Sequence, residues 1–590
     1  MSKFWDNIIQ IKPSLAGIQL AGWLPRPPAT SGKGCRLLAD QRVKVDEGVS
    51  LSADVYLPKT PGRYPAVVVF SAYNKELHTA GLPTGSNEIG SPPVFADRGY
   101  APVIVNRRGM GRSDGTAGVF FNPQDVDDHE RCIAWAAEQT WCDGNVVLFG
   151  TSYYGMVQPL VAARKPPALK AFFCNEICTD YFRQIFQFGG VPALYFLGVW
   201  TGANFNETQA RLRVPPMVRA IVSHIANSRL KPILGRMVMK RVDKMFRIFS
   251  KMTPVRAVRE WYVNWILDGK TRETSCTPAG PSGELDKIQV PFVVVQNLGY
   301  FNLHQFGSYD LFENAGTPDG GKWMILGPPE YELPVYSWQL EAIAFFDYIV
   351  RGVDNGYREQ APVRYWLDGT EKFVGASSFP IPGSISVRLY PASCGEDRVR
   401  HTLSTEPPAG GENRWAAIPM NSPVVSGLDE VVNQKLTYEL VAEEHEEFSG
   451  PVTAHLRFSC NEIDSHLVAR LGRVDRDGSY HLLSLGTISP ARRRVDAARS
   501  TACEVAIDTS VREPLTPGEP VTLVFSLTPG PTQLSPGEKL VFDVASRVDL
   551  LRSGPSHGYV QFDMPAPPYF SRNTLHYGPE TYVEVHRIGS

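Results

Sequence analysis

The stretch Asn145-Val146-Val147-Leu148-Phe149-Gly150-Thr151-Ser152-Tyr153-Tyr154-Gly155 carries a serine whose surroundings suggest covalent chemistry. An apolar run ending among small residues reads as a buried strand that breaks into a sharp turn, and such a turn lifts a serine oxygen clear of the sheet. Ser152 is therefore the candidate nucleophile, although Gly155 sits one place later than the second glycine of the commonest G-x-S-x-G form. A serine hydroxyl attacks only if a neighbour takes its proton as the new bond forms, and imidazole, titrating near about 6.5, is the suitable base.

Short apolar runs flank that turn in the order a parallel sheet with crossover helices requires. Ala66 to Phe70, Ala101 to Val105, Val146 to Phe149 and Ala171 to Cys174 read as strands buried on both faces, with helices expected over Asp125 to Gln139 and Tyr154 to Arg164. The pattern resumes at Phe292 to Gln296 and Lys322 to Leu326, so the segment between hosts an insertion. The insertion is rich in helix formers, in arginine and lysine (Arg211, Arg213, Arg219, Arg229) and in methionine (Met217, Met237, Met239), as expected of a helical cap. After Gly356 the texture turns to short β-rich runs broken by Pro and Gly, among them Val363 to Leu367, Val452 to Cys460 and Val521 to Leu527, the pattern of an all-β sandwich. The organisation expected is an α/β domain with an N-terminal extension over 1–179, a cap over 180–284, the rest of the α/β domain over 285–356 and a sandwich over 357–590.

In 590 residues, hydrophobic side chains at 43% and charged ones at 20% suit an ordinary globular core, and a formal charge of −2 gives no reason to expect nucleic acid. Nine cysteines at irregular spacing form no pair of ligand pairs, so reduced thiols are expected and neither a metal nor an organic cofactor is implied. No apolar run spans a bilayer and the N-terminus lacks the layout of a secretory signal, which together predict a cytoplasmic protein. Ile8, Ile9, Ile11, Leu15, Ile18 and Leu20 form an apolar set suited to the protein's own body or to a second copy in a homodimer.

Several blocks, in order, resemble the cocaine esterase/glutaryl acylase-like (CocE/NonD) family, which is related to X-Pro dipeptidyl-peptidases. They are Asp54-Val55-Tyr56-Leu57-Pro58, Asn106 through Gly115, Trp141-Cys142-Asp143-Gly144, the serine turn, Phe346-Asp347-Tyr348 through Gly356, and Gly450-Pro451-Val452. The resemblance implies an α/β-hydrolase sheet, an inserted helical cap and a C-terminal β jelly-roll sandwich. It implies Ser152 as nucleophile, the Tyr73 hydroxyl as an oxyanion donor and the Tyr153 backbone N–H as the other. It also exposes a departure. Where the family carries an acid this chain reads Gly299-Tyr300-Phe301-Asn302, and where it carries histidine the chain reads Gly327-Pro328-Pro329-Glu330-Tyr331. An amide in place of the acid costs about four orders of magnitude in serine proteases even when the histidine remains.

The expectation is therefore an enzyme of altered chemistry, in which Ser152, Tyr73, Tyr153, Tyr331 and Asn302 donate hydrogen bonds or relay protons on a carbonyl-bearing small molecule. Cyclisation, isomerisation, elimination or carbon–carbon bond formation, as in secondary metabolism, would fit. Tyr154, Tyr181 and Phe182, with Phe186 and Tyr195, are candidate walls of a hydrophobic pocket. The alternative is an ester, thioester or amide hydrolase with a relocated base, for which His304, two residues past Asn302, and Glu330 or Glu332 are the candidates, with His78 close to Tyr73. A non-catalytic binding protein is the third reading.

Overall fold

The computed structural model describes residues 27–589 except 32–33, 77–85, 194–205, most of 227–254, 261–279, 300–302, 305, 330–334, 394–400, 418–434 and 547–569. Its N-terminal half is built on a ten-stranded sheet. In chain order the first strands are β1 (Cys35–Asp46), β2 (Val49–Pro58), β3 (Tyr64–Ser71), β4 (Ala101–Asn106), β5 (Cys142–Thr151) and β6 (Leu169–Asn175). A two-residue-scale hairpin follows, β7 (Gln187–Phe188) and β8 (Val191–Pro192), and then β9 (Phe292–Asn297), β10 (Lys322–Gly327), β11 (Val363–Leu367) and β12 (Lys372–Ala376). The order across the sheet is β1-β2-β4-β3-β5-β6-β9-β10-β11-β12, parallel from β4 to β11, with antiparallel pairs at both margins.

The central strands are continuous apolar runs because both sheet faces are covered. Along β5, Val146 and Leu148 enter one core while Val147 and Phe149 enter the other, the alternation of a strand with two buried faces. Helices α1 (Pro92–Asp97), α2 (Pro123–Ala137) and α3 (Tyr153–Ala162) lie in the first part of the fold. Asn122 caps α2 by accepting the Asp125 N–H at 3.0 Å, ahead of Pro123 at the first helical position.

The described helices of the inserted cap include α4 (Glu207–Arg211) and α5 (Pro216–Ala226). Met217 and Met237 of the cap are 73% and 61% exposed, an inversion of the usual order, since the basic Arg219 is fully buried. Charge pairing explains the inversion: Arg219 meets Asp54 and Asp40 in the body of the sheet domain, so the helix turns a cation inward. Helices α6 (Gly307–Asn314) and α7 (Tyr336–Arg351) complete the α/β part, and Gly352 ends α7 in the left-handed conformation.

Val363 to Leu367, expected in the sandwich, instead pairs in parallel with β10 and extends the hydrolase sheet. Its alternation of apolar and polar residues marks a half-covered strand but carries no information about which sheet receives it. The β-sandwich that follows has its core among residues such as Leu456, Phe458, Phe525 and Phe542. Val452–Cys460 pairs with Val521–Leu527, and Leu467–Val474 with Lys539–Ala545, both antiparallel. The seven described cysteines are free thiols. Among the described residues no helix is long and apolar enough to cross a membrane.

Candidate active site

Ser152 follows the last residue of β5 and precedes α3, with φ 57° and ψ −123°. A non-glycine residue holds such angles only where its surroundings impose them. Here the clamp is visible on both sides. A Cβ on Gly150 would lie 2.3 Å from the Tyr154 Cβ, and one on Gly155 would lie 2.7 Å from the Asn175 carbonyl oxygen. The shifted second glycine is thus the point where α3 touches the end of β6. The Ser152 N–H donates to that same Asn175 carbonyl at 2.9 Å.

The Ser152 hydroxyl lies 3.0 Å from Nε2 of His304. His304 comes from the segment after β9, has φ 55° and is 3% exposed, and Ser152 is 9% exposed. Burial pushes the imidazole down to about 3, so the ring is neutral at ordinary pH and can accept the serine proton. The loss of a base inferred from the Gly327-Pro328-Pro329-Glu330-Tyr331 segment is thereby corrected: a histidine reaches Ser152 from the preceding loop, where linear spacing gives no measure of distance in space. Asn302, Glu330, Tyr331, Glu332, His78 and Tyr195 lie outside the described residues.

Tyr73 sits in the segment leaving β3 and is 2% exposed, its ring 6.2 Å from that of Tyr153 and 5.4 Å from that of Tyr154. Its own N–H donates to Ser71 Oγ at 3.1 Å. Cap residues pin the segment, since Asn74 Nδ2 donates to the Leu212 carbonyl at 3.0 Å and Glu76 accepts the Val214 N–H. Tyr153 is the first residue of α3, and the N–H groups of a helix's first turn are not consumed by the helix itself. Its hydroxyl donates to Asp125 Oδ2 at 3.4 Å, and Asp125 is paired at 2.9 Å with Arg107. The Asn106-to-Gly115 loop therefore reaches the nucleophile's neighbour through one buried ion pair. Burial raises Asp125 to about 6 even against that arginine.

The described pocket-wall candidates, Tyr154, Tyr181, Phe182 and Phe186, are buried in the core. Tyr181 is fully buried, lies 4.3 Å from the Phe121 ring and donates its hydroxyl to the Met156 carbonyl of α3 at 3.0 Å. Phe182 is 2% exposed within a π-helical turn over Phe182–Phe186, and Tyr154 is 1% exposed behind Tyr73. Aromatic side chains bury so much area that a core position satisfies them without any ligand. A cavity of about 630 Å³ lies between the Asn106-to-Gly115 loop and the cap, where Arg211, Arg213, Arg256 and Glu260 join small residues such as Gly111 and Ala117 in its lining.

A mostly parallel sheet, a strained serine between strand and helix and a histidine at its oxygen define an α/β hydrolase. Residues 47–330 match the X-Pro dipeptidyl-peptidase (S15 family) model and residues 355–561 the X-Pro dipeptidyl-peptidase C-terminal non-catalytic domain. A cocaine esterase from Rhodococcus sp. is 25% identical over 504 residues, covering 76% of this chain and 82% of that protein. The fold superposes on a CocE/NonD family hydrolase from Staphylococcus aureus with a TM-score of 0.70 at 20% identity, covering 94% of each chain. An aminopeptidase from a Thaumarchaeota archaeon gives 0.68 at 16% identity, over 96% of this chain and 98% of that one. Together these likenesses support placing the chain with the CocE/NonD-like α/β hydrolases.

Proposed function

We propose that this protein is a serine hydrolase that cleaves an ester of a small molecule through an acyl-enzyme on Ser152, with His304 as general base. The observation that carries the reading is the 3.0 Å contact between Ser152 Oγ and His304 Nε2. As Oγ bonds to the acyl carbon its proton passes to Nε2, and the same proton leaves with the alcohol when the bond to the leaving group breaks. Water then repeats the sequence to release the acid. The Tyr73 hydroxyl and the Tyr153 N–H are the donors for the developing oxyanion. Similarity to an esterase favours an ester over a thioester or amide. The non-hydrolytic chemistries expected from a missing imidazole lose their premise once a neutral imidazole stands at the serine.

The test is covalent labelling with a fluorophosphonate followed by peptide mapping. The adduct is expected on Ser152, absent in Ser152→Ala and formed at least about a hundredfold more slowly in His304→Ala. A folded wild-type protein that takes no label at Ser152 would refute the reading.

A further inference from the structure

The two donors proposed for the oxyanion stand on different footings. The Tyr153 N–H belongs to the first turn of α3, whereas Tyr73 is carried by the segment leaving β3. A segment outside strand and helix holds a hydroxyl in place only if its backbone is fastened from outside.

Residues 71–76 are all buried, and some of the fastenings run to the sheet. Ser71 Oγ accepts the Tyr73 N–H at 3.1 Å and donates to the Tyr73 carbonyl. The Lys75 N–H donates to Asn106 Oδ1 at 2.6 Å, and Asn106 ends β4 opposite Ser71 of β3.

Other bonds run to the cap. Asn74 Nδ2 donates to the Leu212 carbonyl at 3.0 Å, Asn74 Oδ1 accepts the Glu76 N–H at 2.9 Å, and the Glu76 carboxylate accepts the Val214 N–H. The loop after β4 grips the same stretch of cap. Gly111 N–H donates to the Ala210 carbonyl at 2.9 Å, and the Gly111 carbonyl accepts the Arg213 Nε–H at 3.1 Å. Alternate residues Ala210, Leu212 and Val214, in the passage from α4 to α5, are therefore bonded to the loops that follow β3 and β4. The fit is close: a Cβ on Gly111 would stand 2.5 Å from Asn106 Nδ2 and 3.1 Å from Asn74 Oδ1.

Asn74 sits at the centre of these bonds and is fully buried. Its amide bridges two backbones, with the donor side on the cap and the acceptor side closing the turn that follows Tyr73. Deleting it leaves the Leu212 carbonyl and the Glu76 N–H without that partner and unties the tyrosine's own segment from the cap.

We propose that Asn74 is a positioning residue of the active site, clasping the cap to the segment after β3 and so fixing the Tyr73 hydroxyl where the oxyanion develops. The inference rests on Tyr73 serving as an oxyanion donor. It makes seating of the cap a condition of catalysis, because a donor misplaced by about 1 Å costs about a hundredfold in rate.

The experiment is a double-mutant cycle on the full-length protein, with wild type, Asn74→Ala, Tyr73→Phe and the double variant compared by p-nitrophenyl acetate hydrolysis and by the rate of fluorophosphonate labelling. Asn74→Ala is expected to lower kcat about ten- to a hundredfold with KM nearly unchanged, and to cost less than about threefold in the Tyr73→Phe background, where the group it positions is already gone. Should Asn74→Ala fail to fold, Arg213→Ala carries the test, since it removes an exposed side chain that bonds Gly111. Its expected loss is about threefold or more in the wild type and none in Tyr73→Phe. A folded Asn74→Ala within about threefold of wild type overturns the proposal, as does a loss of equal size in both backgrounds for whichever variant is read. Tyr73 then keeps its role. Should Tyr73→Phe itself leave kcat within about threefold of wild type, the oxyanion assignment falls and this inference with it, while Ser152 and His304 keep theirs.

Discussion

Arg219, on the cap helix α5, donates through Nη1 to Asp54 Oδ2 at 2.8 Å, and both side chains are fully buried. Lys75, two residues beyond Tyr73, donates to the other Asp54 oxygen at 2.7 Å and to Asp40 at 2.9 Å. One buried network thus joins the cap, the β1–β2 hairpin and the segment that carries the proposed oxyanion donor.

Arg219→Met should be strongly destabilising, because it leaves the buried Asp54 and the adjoining Asp40 to share Lys75 as their remaining buried cation. Loss of one partner of such a pair costs about 3–5 kcal/mol, which predicts a fall in Tm of roughly 3–6 °C and faster proteolysis within the cap. Calorimetry and limited trypsin digestion measure both.

Gly155→Ala places a methyl 2.7 Å from the Asn175 carbonyl that also holds the Ser152 N–H. The expected result is a serine displaced from His304, with fluorophosphonate labelling reduced at least about tenfold even where the protein still folds. Labelling kinetics beside a far-UV spectrum separate the two effects.

Tyr73→Phe removes the hydroxyl assigned to the oxyanion and leaves the ring packed against Tyr153 and Tyr154. By the usual weight of one such donor, kcat should fall about 10²- to 10³-fold with KM nearly unchanged. Steady-state kinetics on an activated ester reads the split.

His129, on α2, is fully buried and stacked 5.0 Å from Phe70, and burial pushes it down to about 3. Its folded-state value lies below the unfolded one, so the stability it supports is present above about 6.5 and drains away as pH falls toward about 3. Asp125, raised to about 6, acts with the opposite sign, so the contribution of His129 is read from a variant. His129→Leu should shrink the loss of stability between pH 7.5 and pH 5 by about 2 kcal/mol. Thermal unfolding at the two pH values gives the comparison.

The elbow and the parallel sheet were legible in the sequence because their causes are local. Glycines at 150 and 155 answer to contacts within one strand–turn–helix unit, and runs such as Val146 to Phe149 report two covered faces. The partners of Ser152 are set by tertiary return instead. His304 was readable as a candidate base from its loop, but only the pairing of β6 with β9 brings that loop to the serine. Arg219 was hidden in a basic run that reads as solvated, since its acids Asp40 and Asp54 lie far away along the chain.

The β-sandwich grips the segment that follows β6. Ser489 N–H donates to the Gly189 carbonyl at 2.8 Å, Thr487 Oγ1 to the Phe188 carbonyl at 3.1 Å, and Gln184 Nε2 to Glu504 at 2.9 Å, all within fifteen residues of Asn175, whose carbonyl holds the Ser152 N–H. Evolution can therefore trade the C-terminal module for another only if the newcomer reproduces that grip, and a catalytic half excised at the linker would carry its machinery on an unbraced ledge.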